Sequence, residues 1–291
     1  MIREALSASV DALRAAGIDE PSLDAELLLC EATGWDRAHL VANPDAEIAP
    51  AAARRFGETV RRRLRREPVA YILGRRGFRQ IELAVDPRVL IPRPETELLV
   101  ELALEIQPRT VLDVGTGSGA IALAIADELP DCAVTATDTS TAALEVARAN
   151  AERLGLSERV EFVEGTLPLE PPGFDLVLAN LPYVSEAEWR GLEPEVTEWE
   201  PREALLGGPD GLDAIRALLV EPPATACLAL EVGAGQAGAV GGLMREAGFS
   251  EIEVRRDLAG IERIIVGRSP SADFAFSGAI GPETTKSAED E

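Results

Sequence analysis

The sequence contains few of the residues on which several large enzyme classes depend. Its only histidine is His39, which excludes a site with several histidine ligands and leaves one candidate for a histidine-dependent triad. The three cysteines, Cys30, Cys132 and Cys227, are too far apart to form a CxxC motif or a pair of zinc ligands. We therefore expect reduced, buried thiols and no bound metal.

Long apolar runs are also absent. No stretch approaches the roughly 18 apolar residues of a membrane span, and the first residues lack the apolar core and cleavage site of a signal peptide. The 291 residues are 46% hydrophobic and 27% charged, which is typical of a globular protein of about two domains. These features predict a cytoplasmic protein without membrane contact.

Positive charge is scarce and unevenly distributed. The chain has 28 basic and 51 acidic residues, a net charge of -23, which argues against nonspecific binding of nucleic acid by the whole surface. Ten arginines and only two acidic residues nevertheless lie between Arg54 and Arg79. This arginine cluster has two interpretations: a solvated helix face, or a docking surface for a protein or RNA partner.

The hydrophobic pattern divides the chain into four segments. Residues 1–75 have the periodicity of helices, and residues 76–92 alternate as the strands of a hairpin linker do. Residues 93–268 alternate short apolar strands with helical stretches. Residues 269–291 are rich in Ser, Gly, Pro, Thr and acidic residues, and this composition predicts a disordered tail.

The third segment predicts an α/β fold with a doubly wound, parallel sheet covered by helices on both faces. Because ligands of such sheets bind at the carboxyl ends of the strands, we expect the functional residues to cluster at one edge. The predicted strands are Thr110–Val114, Ala133–Asp138, Val160–Val163, Phe174–Ala179, Cys227–Val232, Glu251–Arg255 and Ile261–Val266.

The first candidate site is a glycine-rich turn between a predicted strand and a helix. Gly115, Gly117 and Gly119 follow the strand, and such a turn lets a ligand approach the backbone closely. The N–H groups at the helix start suit an anionic group, and Asp113 could accept a hydrogen bond from a cationic amine. The pattern also fits a dinucleotide-binding turn, so a nicotinamide or flavin ligand is an alternative, as is a turn without ligand.

The second candidate is Asp138, which ends the next predicted strand. An acidic residue there is well placed to bind both ribose hydroxyls of an adenosine. The alternative is that Asp138 caps the following helix. Together with the glycine-rich turn, the position favours ribose binding.

The third candidate follows the strand that ends at Ala179. Asn180, Leu181, Pro182 and Tyr183 place an amide, a proline and an aromatic ring at the strand tip. Hydride transfer does not call for this set, whereas a planar nitrogen nucleophile does. The Asn180 oxygen can accept from one N–H, a neighbouring backbone carbonyl can accept from the other, and the Tyr183 ring can cover the planar group.

These motifs resemble those of the release-factor glutamine methyltransferases, a family of S-adenosylmethionine-dependent enzymes. The resemblance extends to about Gly267 and includes segments outside the three candidate sites. They are Glu67-Pro68-Val69-Ala70-Tyr71-Ile72-Leu73-Gly74, Leu90-Ile91-Pro92-Arg93-Pro94-Glu95-Thr96-Glu97, Trp199-Glu200-Pro201-Arg202-Glu203-Ala204-Leu205 and Gly208-Pro209-Asp210-Gly211-Leu212.

The resemblance implies a seven-stranded, Rossmann-like methyltransferase domain at 93–268. A small helical domain at 1–75 that docks the substrate and a β-hairpin linker at 76–92 would precede it. The implied methyl acceptor is the side-chain amide N5 of the glutamine in the Gly-Gly-Gln motif of class 1 translation release factors. Such an enzyme would act in translation termination, in the cytoplasm near the ribosome, without sequence-specific contact to nucleic acid.

Family roles carry over by position. The implied cofactor-binding residues are Asp113, Gly115, Thr116, Gly117, Ser118, Gly119, Asp138, Leu167 and Asn180. The implied catalytic residues are Asn180, Leu181, Pro182 and Tyr183, which we call the substrate loop. No metal ligand is implied.

Two positions depart from the family pattern. The usual loop is Asn-Pro-Pro-Tyr, and Leu181 in place of the first proline removes a locked φ angle but keeps the backbone carbonyl. Thr166 stands where relatives often have an acidic residue, and its side chain cannot accept as a carboxylate does.

The expected chemistry is methyl transfer to a poor nucleophile, because the amide lone pair is delocalised into the carbonyl. Hydrogen bonds from the amide to Asn180 and to the Leu181 carbonyl would turn that lone pair toward the methyl donor. No strong base is needed before attack, since the proton can leave afterward.

Other functions are compatible with parts of the sequence. A ribosomal-protein glutamine N5-methyltransferase would have nearly the same motifs. An adenine-N6 methyltransferase acting on nucleic acid uses a similar loop, but the net charge and the lack of a basic recognition region argue against it. A dinucleotide-binding protein or a purely structural module would have no use for the substrate loop.

Overall fold

The computed structural model describes residues 1–167 and 173–270. Of the predicted tail at 269–291, residues 271–291 lie outside the described part of the chain. Within the described ranges we find no helix whose length and apolar content would let it span a bilayer.

Five helices form the N-terminal part. They are α1 (Ile2–Ala15), α2 (Pro21–Thr33), α3 (Arg37–Ala42), α4 (Pro50–Leu64) and α5 (Val69–Leu73). Proline begins α2 and α4, where its missing N–H costs no hydrogen bond, and Gly34 and Gly74 end α2 and α5 in the left-handed conformation. Their apolar faces meet in a cluster that includes Ile2, Leu28, Leu29, Phe56 and Ile72.

A two-stranded antiparallel hairpin follows, β1 (Arg75–Phe78) and β2 (Ile81–Ala84). The buried side chain of Asn150 fastens it to the rest of the molecule. The Asn150 amide nitrogen donates to the carbonyls of Ala84, at 3.0 Å, and Ser118, at 2.9 Å, while its oxygen accepts from Ala84 N at 2.7 Å. One amide therefore joins the hairpin to the glycine-rich turn.

The remaining strands form one seven-stranded sheet in the order β5-β4-β3-β6-β7-β9-β8. Their bounds are β3 (Thr110–Val114), β4 (Ala133–Asp138), β5 (Val160–Glu164), β6 (Phe174–Ala179), β7 (Thr225–Glu231), β8 (Ser250–Arg256) and β9 (Glu262–Arg268). The α/β class and the seven strands are confirmed.

The expectation of an entirely parallel sheet is wrong at the last strand. Strand β9 runs antiparallel to both β7 and β8. Only a short connection separates β8 from β9, and a parallel pair needs a crossover of a dozen or more residues. The five strands that precede β8 in sequence are mutually parallel.

Helices cover both faces of the sheet. They are α6 (Glu97–Ile106), α7 (Ala120–Glu128), α8 (Thr141–Leu154), α9 (Glu186–Trp189), α10 (Pro194–Thr197), α11 (Asp213–Val220) and α12 (Ala237–Glu246), with 3₁₀ turns at Pro94–Thr96 and Arg202–Ala204. Alternate strand residues face opposite clusters: Val111 packs with α6 and α7, whereas Leu112 packs with α11 and α12.

The register of the sheet brings four strand ends together. Val114 of β3 pairs with Thr137 of β4 on one side and with Ala179 of β6 on the other, and Ala179 pairs with Leu230 of β7. The residues that follow these strands therefore meet at one edge of the sheet, where the sequence placed the three candidate sites.

Candidate active site

A cavity of about 290 Å³ opens at this edge. This volume approaches the lower end of the range for small-molecule pockets. The residues along its wall come from the hairpin exit (Arg88, Val89, Leu90), the glycine-rich turn (Val114, Gly115, Gly117), the start of α8 (Asp138, Thr139, Ser140, Ala143), the end of β5 (Gly165, Thr166), the substrate loop (Asn180, Leu181, Pro182) and a later segment (Pro201, Glu203, Ala204, Ala214, Ala217).

The glycine-rich turn forms the floor of the cavity. The backbone N–H groups of Gly115 and Thr116 both donate to the Thr137 carbonyl at 2.9 Å, which anchors the turn to β4. Gly115 has a φ of 76°, and a Cβ there would lie 3.2 Å from Leu181 Cδ2. A glycine at position 115 therefore accommodates both the positive φ and the close approach of the substrate loop to the glycine-rich turn.

Asp138 lines the cavity and is oriented by two backbone groups. Its Oδ2 accepts from Gly117 N and its Oδ1 accepts from Ser140 N, both at 2.9 Å. A carboxylate has about four acceptor positions, so both oxygens can still bind hydroxyl groups of a ligand. The alternative role as helix cap is wrong, because Ser140 is the N-cap of α8 and accepts from Ala143 N.

Asp113 lies behind the turn and is fully buried. Its Oδ2 accepts from the Thr116 hydroxyl at 2.6 Å and from Ala122 N at 3.2 Å, while its Oδ1 has no hydrogen-bond partner within the described residues. Burial raises the pKa of Asp113 to about 7, against the lowering effect of these two hydrogen bonds. The structure thus places this carboxylate under the turn and away from the cavity wall, where it holds the turn to α7.

Other predicted cofactor residues also support the turn from behind. Thr116 and Ser118 are buried, and neither lines the cavity. Gly119 begins α7 with a φ of 85°, and a Cβ there would lie 2.8 Å from Leu123 Cδ1. Leu167 packs against the apolar cluster of α11 and α12, outside the described cavity wall.

Asn180 reaches the cavity from the end of β6 with its amide oriented. Its Nδ2 donates to Thr96 Oγ1 at 3.0 Å, and its Oδ1 accepts no hydrogen bond from the described residues. The oxygen of the amide is therefore the atom left for a ligand, as the substrate-loop hypothesis requires.

Leu181 links the two walls of the cavity. Its side chain is nearly buried against the cluster of α11 and α12 and covers Gly115. Its carbonyl accepts no hydrogen bond from other described backbone groups. Packing of the isobutyl group thus constrains a position that lacks the locked φ of a proline.

Tyr183 is half-buried and does not line the described cavity. Its hydroxyl donates to Glu231 Oε1 at 3.2 Å. Burial, followed by the neighbouring Glu231 carboxylate, raises the pKa of Tyr183 above its usual range. The role of the Tyr183 ring as a cover for a planar group stays a prediction.

A second set of supports for the substrate loop was not predicted. Gln236 Nε2 donates to the Tyr183 carbonyl at 2.9 Å, and Gln236 Oε1 accepts from Gly233 N at 2.8 Å. A Cβ at Gly207 would lie 2.4 Å from the Pro182 carbonyl oxygen. The loop is therefore enclosed by backbone on its outer side.

The sequence assigns no role to Glu200 or Thr96, which belong to two of the family motifs. Glu200 is buried and binds the hairpin exit, because its carboxylate accepts from Ile91 N at 3.0 Å and pairs with Arg93. Thr96 lies in Arg93-Pro94-Glu95-Thr96-Glu97 and Glu200 in Glu198-Trp199-Glu200-Pro201-Arg202-Glu203, so charged neighbours surround both and no local pattern marks either one.

The arginine cluster serves mainly to join parts of the chain. Arg63 pairs with Asp24 at 2.6 Å and with Glu195 at 2.7 Å, and Arg66 pairs with Glu193 and Glu195, both at 2.6 Å. These contacts hold α4 against α10. Neither a solvated face nor a docking surface describes Arg63, which is buried.

Six arginines of the cluster are exposed, and two of them bind other parts of the chain: Arg55 donates to the Ala32 carbonyl and Arg75 pairs with Glu31. The other four are Arg54, Arg61, Arg65 and Arg76. The first three lie along one side of α4 or directly after it. For these residues, a solvated helix face and a docking surface for a partner both remain possible interpretations.

Among residues 1–167 and 173–270, no three His, Cys, Asp or Glu side chains are grouped so that they could hold a metal ion.

Comparison with known families identifies two matching regions. Residues 4–74 match the model described as PrmC N-terminal domain, and residues 94–192 match the model described as Methyltransferase small domain.

Curated relatives match nearly the whole chain. The chain is 42% identical to the release factor glutamine methyltransferase of Caulobacter vibrioides over 275 residues, which cover 91% of this chain and 95% of the relative. It is 44% identical to the release factor glutamine methyltransferase of Moorella thermoacetica, with 90% and 96% covered.

Among solved structures, the chain is similar to the hMettl16 catalytic domain solved in complex with MAT2A 3'UTR hairpin 6. The TM-score is 0.54 at 17% identity, and the match covers 66% of this chain and 77% of that one. At this identity the likeness shows the methyltransferase fold alone.

Proposed function

This chain belongs to the release factor glutamine methyltransferase family, and we propose that it methylates the side-chain amide N5 of the glutamine in the Gly-Gly-Gln motif of class 1 release factors. It is an S-adenosylmethionine-dependent methyltransferase. The observation that carries the proposal is that the substrate loop approaches Gly115 in one cavity. The Asn180 amide oxygen remains there as a hydrogen-bond acceptor.

The residues of the cavity fit the proposed methyl donor. The glycine-rich turn offers open backbone at Gly117, where a Cβ would meet nothing within 4 Å, and Asp138 offers acceptor positions for ribose hydroxyls. The small side chains of Ala143, Ala214 and Ala217 leave room for a flat ring. S-adenosylmethionine supplies an electrophilic methyl group when it is bound.

The chain's own residues would position the acceptor amide. Asn180 Oδ1 accepts from one N–H and the Leu181 carbonyl accepts from the other, which turns the nitrogen lone pair toward the cofactor side of the cavity. Orientation of this kind can supply several kcal/mol of barrier lowering.

We also propose that residues 1–75 dock the protein substrate. This segment is fixed to the catalytic part through Arg63 and Arg66, so a partner bound to its helices would have a defined distance to the cavity. Arg54, Arg61 and Arg65 offer exposed positive charge on one side. Proximity to the ribosome, a cytoplasmic location and the absence of sequence-specific nucleic-acid contact stay predictions.

The test is incubation of the purified chain with isotope-labelled S-adenosylmethionine and a purified class 1 release factor. Mass mapping should locate one methyl group on the glutamine of the Gly-Gly-Gln motif. A release factor with that glutamine changed to alanine serves as the control and should stay unlabelled.

A purified ribosomal protein mixture and a duplex oligonucleotide containing adenine test the alternatives in parallel. Faster labelling of a ribosomal-protein glutamine would favour the first alternative, and labelled adenine would favour the second. Either result, with an unlabelled release factor, would overturn the proposal.

A further inference from the structure

Two walls of the cavity lie outside the sheet and its α-helices. One is the hairpin exit, where Arg88, Val89 and Leu90 line the cavity, and the other is the later segment that includes Pro201 and Ala204. Backbone without the regular hydrogen bonds of a helix or strand depends on other groups to satisfy and hold it. The side chains that bind these two walls therefore decide how far apart they lie.

Glu200 joins the two walls. It directly precedes Pro201, and its carboxylate reaches back across 109 residues to the hairpin exit. Its Oε2 accepts from Ile91 N at 3.0 Å, and its Oε1 binds the Arg93 guanidinium. The Glu200 side chain is only 2% exposed, so little water competes for these two bonds.

The hairpin exit is bound from two sides. The Tyr71 hydroxyl of α5 donates to the Val89 carbonyl at 2.6 Å. Ile91 N donates to no backbone carbonyl of the described residues, so Glu200 supplies its acceptor. The N-terminal helices thus hold one end of this wall, and Glu200 holds the other.

The later segment is bound in turn to the residue that follows the substrate loop. Val184 N donates to the Leu205 carbonyl, and Gly207 N donates to the Val184 carbonyl, both at 2.9 Å. The Glu200 carboxylate therefore connects the hairpin exit, through a short stretch of chain, to the end of the substrate loop.

The cofactor floor is held by other contacts. Gly115 N donates to the Thr137 carbonyl, and Gly117 N donates to the Asp138 carboxylate. Neither contact involves the hairpin exit or the later segment. A change at Glu200 should therefore displace the walls beside the substrate loop more than the floor under the methyl donor.

We propose that Glu200 is a positioning residue for methyl transfer, which holds the two walls at a fixed separation and so keeps the acceptor amide against Asn180. This inference rests on the proposed function and adds to it a residue that acts through the cavity walls. When the walls move apart, the acceptor amide is free to turn, and a misplacement of about 1 Å can cost ~100-fold in rate.

The first test removes both bonds of Glu200. Glu200→Leu has a similar volume but no acceptor, and it should lower kcat ~30-fold or more. The Kd values for S-adenosylmethionine and for the release factor, measured by calorimetry, should each change less than ~3-fold. Parent kcat in this variant would overturn the proposal.

Two conservative variants separate the reach of the side chain from its charge. Glu200→Gln keeps an oxygen that can accept from Ile91 N, and Arg93, which is 32% exposed, can turn to solvent. This variant should keep kcat within ~5-fold of the parent. Glu200→Asp keeps the charge but is one methylene shorter, and it should lower kcat ~10-fold. A kcat that is higher in Glu200→Asp than in Glu200→Gln would contradict a role in spacing the walls.

Glu128→Leu is the matched control. Glu128 ends α7, at the end remote from the glycine-rich turn, and its carboxylate binds the Arg79 guanidinium at 2.8 and 3.0 Å. The same substitution there also breaks an arginine pair shielded from water, but it touches neither wall. This variant should keep the parent kcat, and equal losses of kcat in Glu128→Leu and Glu200→Leu would overturn the proposal.

A readout without substrate follows the wall directly. The chain has three tryptophans, and Trp199 precedes Glu200. The Trp199 indole Nε1 is buried without a hydrogen-bond partner among the described residues. Its N–H should exchange slowly with water in the parent and in Glu200→Gln, and faster in Glu200→Leu. The indole N–H of Trp35, which packs among the N-terminal helices, should exchange at the same rate in all three.

The two failures look different. If the parent labels no release factor but the exchange of Trp199 is as expected, the proposed substrate is wrong and the role of Glu200 in holding the walls stands. If the parent labels the release factor but Glu200→Leu changes neither kcat nor the exchange of Trp199, the role of Glu200 is wrong and the proposed function stands.

Discussion

The cofactor side and the substrate side of the cavity are built in different ways. On the cofactor side, the buried Asp113 carboxylate holds groups 3 and 9 residues away in sequence. On the substrate side, Asn180 reaches Thr96 across 84 residues and Tyr183 reaches Glu231 across 48. The cofactor side is a local motif, whereas the substrate side is assembled from strand ends and a distant turn.

Both sides nevertheless contain a buried carboxylate at or near the end of a central strand. Asp113 and Glu231 each end or nearly end a central strand, each is buried, and each has one carboxylate oxygen without a hydrogen-bond partner in the described residues. Burial raises the pKa of both groups to about 7. Burying a carboxylate costs free energy unless hydrogen bonds offset it, so the groups that bind the carboxylate are held in place. The glycine-rich turn and the substrate loop are therefore each bound by a buried carboxylate, although the sequences around these two carboxylates differ.

Asn180→Ala should have the largest effect on kcat and should separate the substrate side from the cofactor side most clearly. The variant removes the acceptor oxygen at the substrate side, and the loss of one preorganised polar contact predicts a fall in kcat of ~100-fold or more, about 3 kcal/mol of barrier. The Kd for S-adenosylmethionine, measured by calorimetry, should stay within ~3-fold of the parent value. Parent turnover in this variant would contradict the assignment of Asn180.

Gly207→Ala and Gly119→Ala make the same chemical change on the two sides. A Cβ at Gly207 would lie 2.4 Å from the Pro182 carbonyl oxygen, so the substrate loop must shift, and kcat should fall ~30-fold with little change in cofactor affinity.

At Gly119 the Cβ meets the Leu123 side chain at 2.8 Å and the backbone has a positive φ. Here the loss should appear in cofactor affinity. Calorimetry and kinetics on both variants test this difference. The prediction is wrong if both variants lose kcat and cofactor affinity to the same extent.

Glu231→Gln tests whether the substrate-side carboxylate is charged, through the pH dependence of stability. Burial, opposed by Thr96 and Tyr183 and assisted by Glu95, raises its pKa to about 7 in the folded chain, with Arg263 acting to lower it. A raised pKa stabilises the fold below the unfolded pKa, and this contribution is lost as pH rises through about 7.

The unfolding free energy of the variant should therefore increase relative to that of the parent by about 3 kcal/mol between pH 4.5 and pH 8. Urea denaturation at four pH values measures this difference. A pH-independent difference would show that Glu231 does not titrate between the folded and unfolded states as expected.

Asp113→Asn tests the cofactor side, and we expect it to have the smallest effect of these variants. An asparagine oxygen can accept from Thr116 or from Ala122 N but fills both positions less well than a carboxylate. We expect the Kd for S-adenosylmethionine to rise ~10-fold and kcat at saturating cofactor to stay within ~3-fold of the parent. An effect on kcat alone would mean that the turn and the substrate loop are not separable.

Much of the fold followed from the sequence because its signals are local. The bounds of β3, β4 and β6 were predicted from apolar runs, and the glycine-rich turn from residues within one strand-turn-helix unit. The direction of β9 was missed because apolar alternation does not encode strand direction. The short β8–β9 connection did carry that information.

The sequence by itself predicted Gly115, Gly117 and Asp138, which line the cavity, because a glycine-rich turn and a carboxylate at a strand end are local signals. Only the tertiary structure decided that Thr96 accepts from the Asn180 amide, that Glu231 accepts from the Tyr183 hydroxyl, and that Arg63 and Arg66 fasten the N-terminal helices to α10. The physical reason is that a side-chain hydrogen bond or ion pair depends on distance in space. Strand order and helix packing set that distance, and spacing along the chain does not record it.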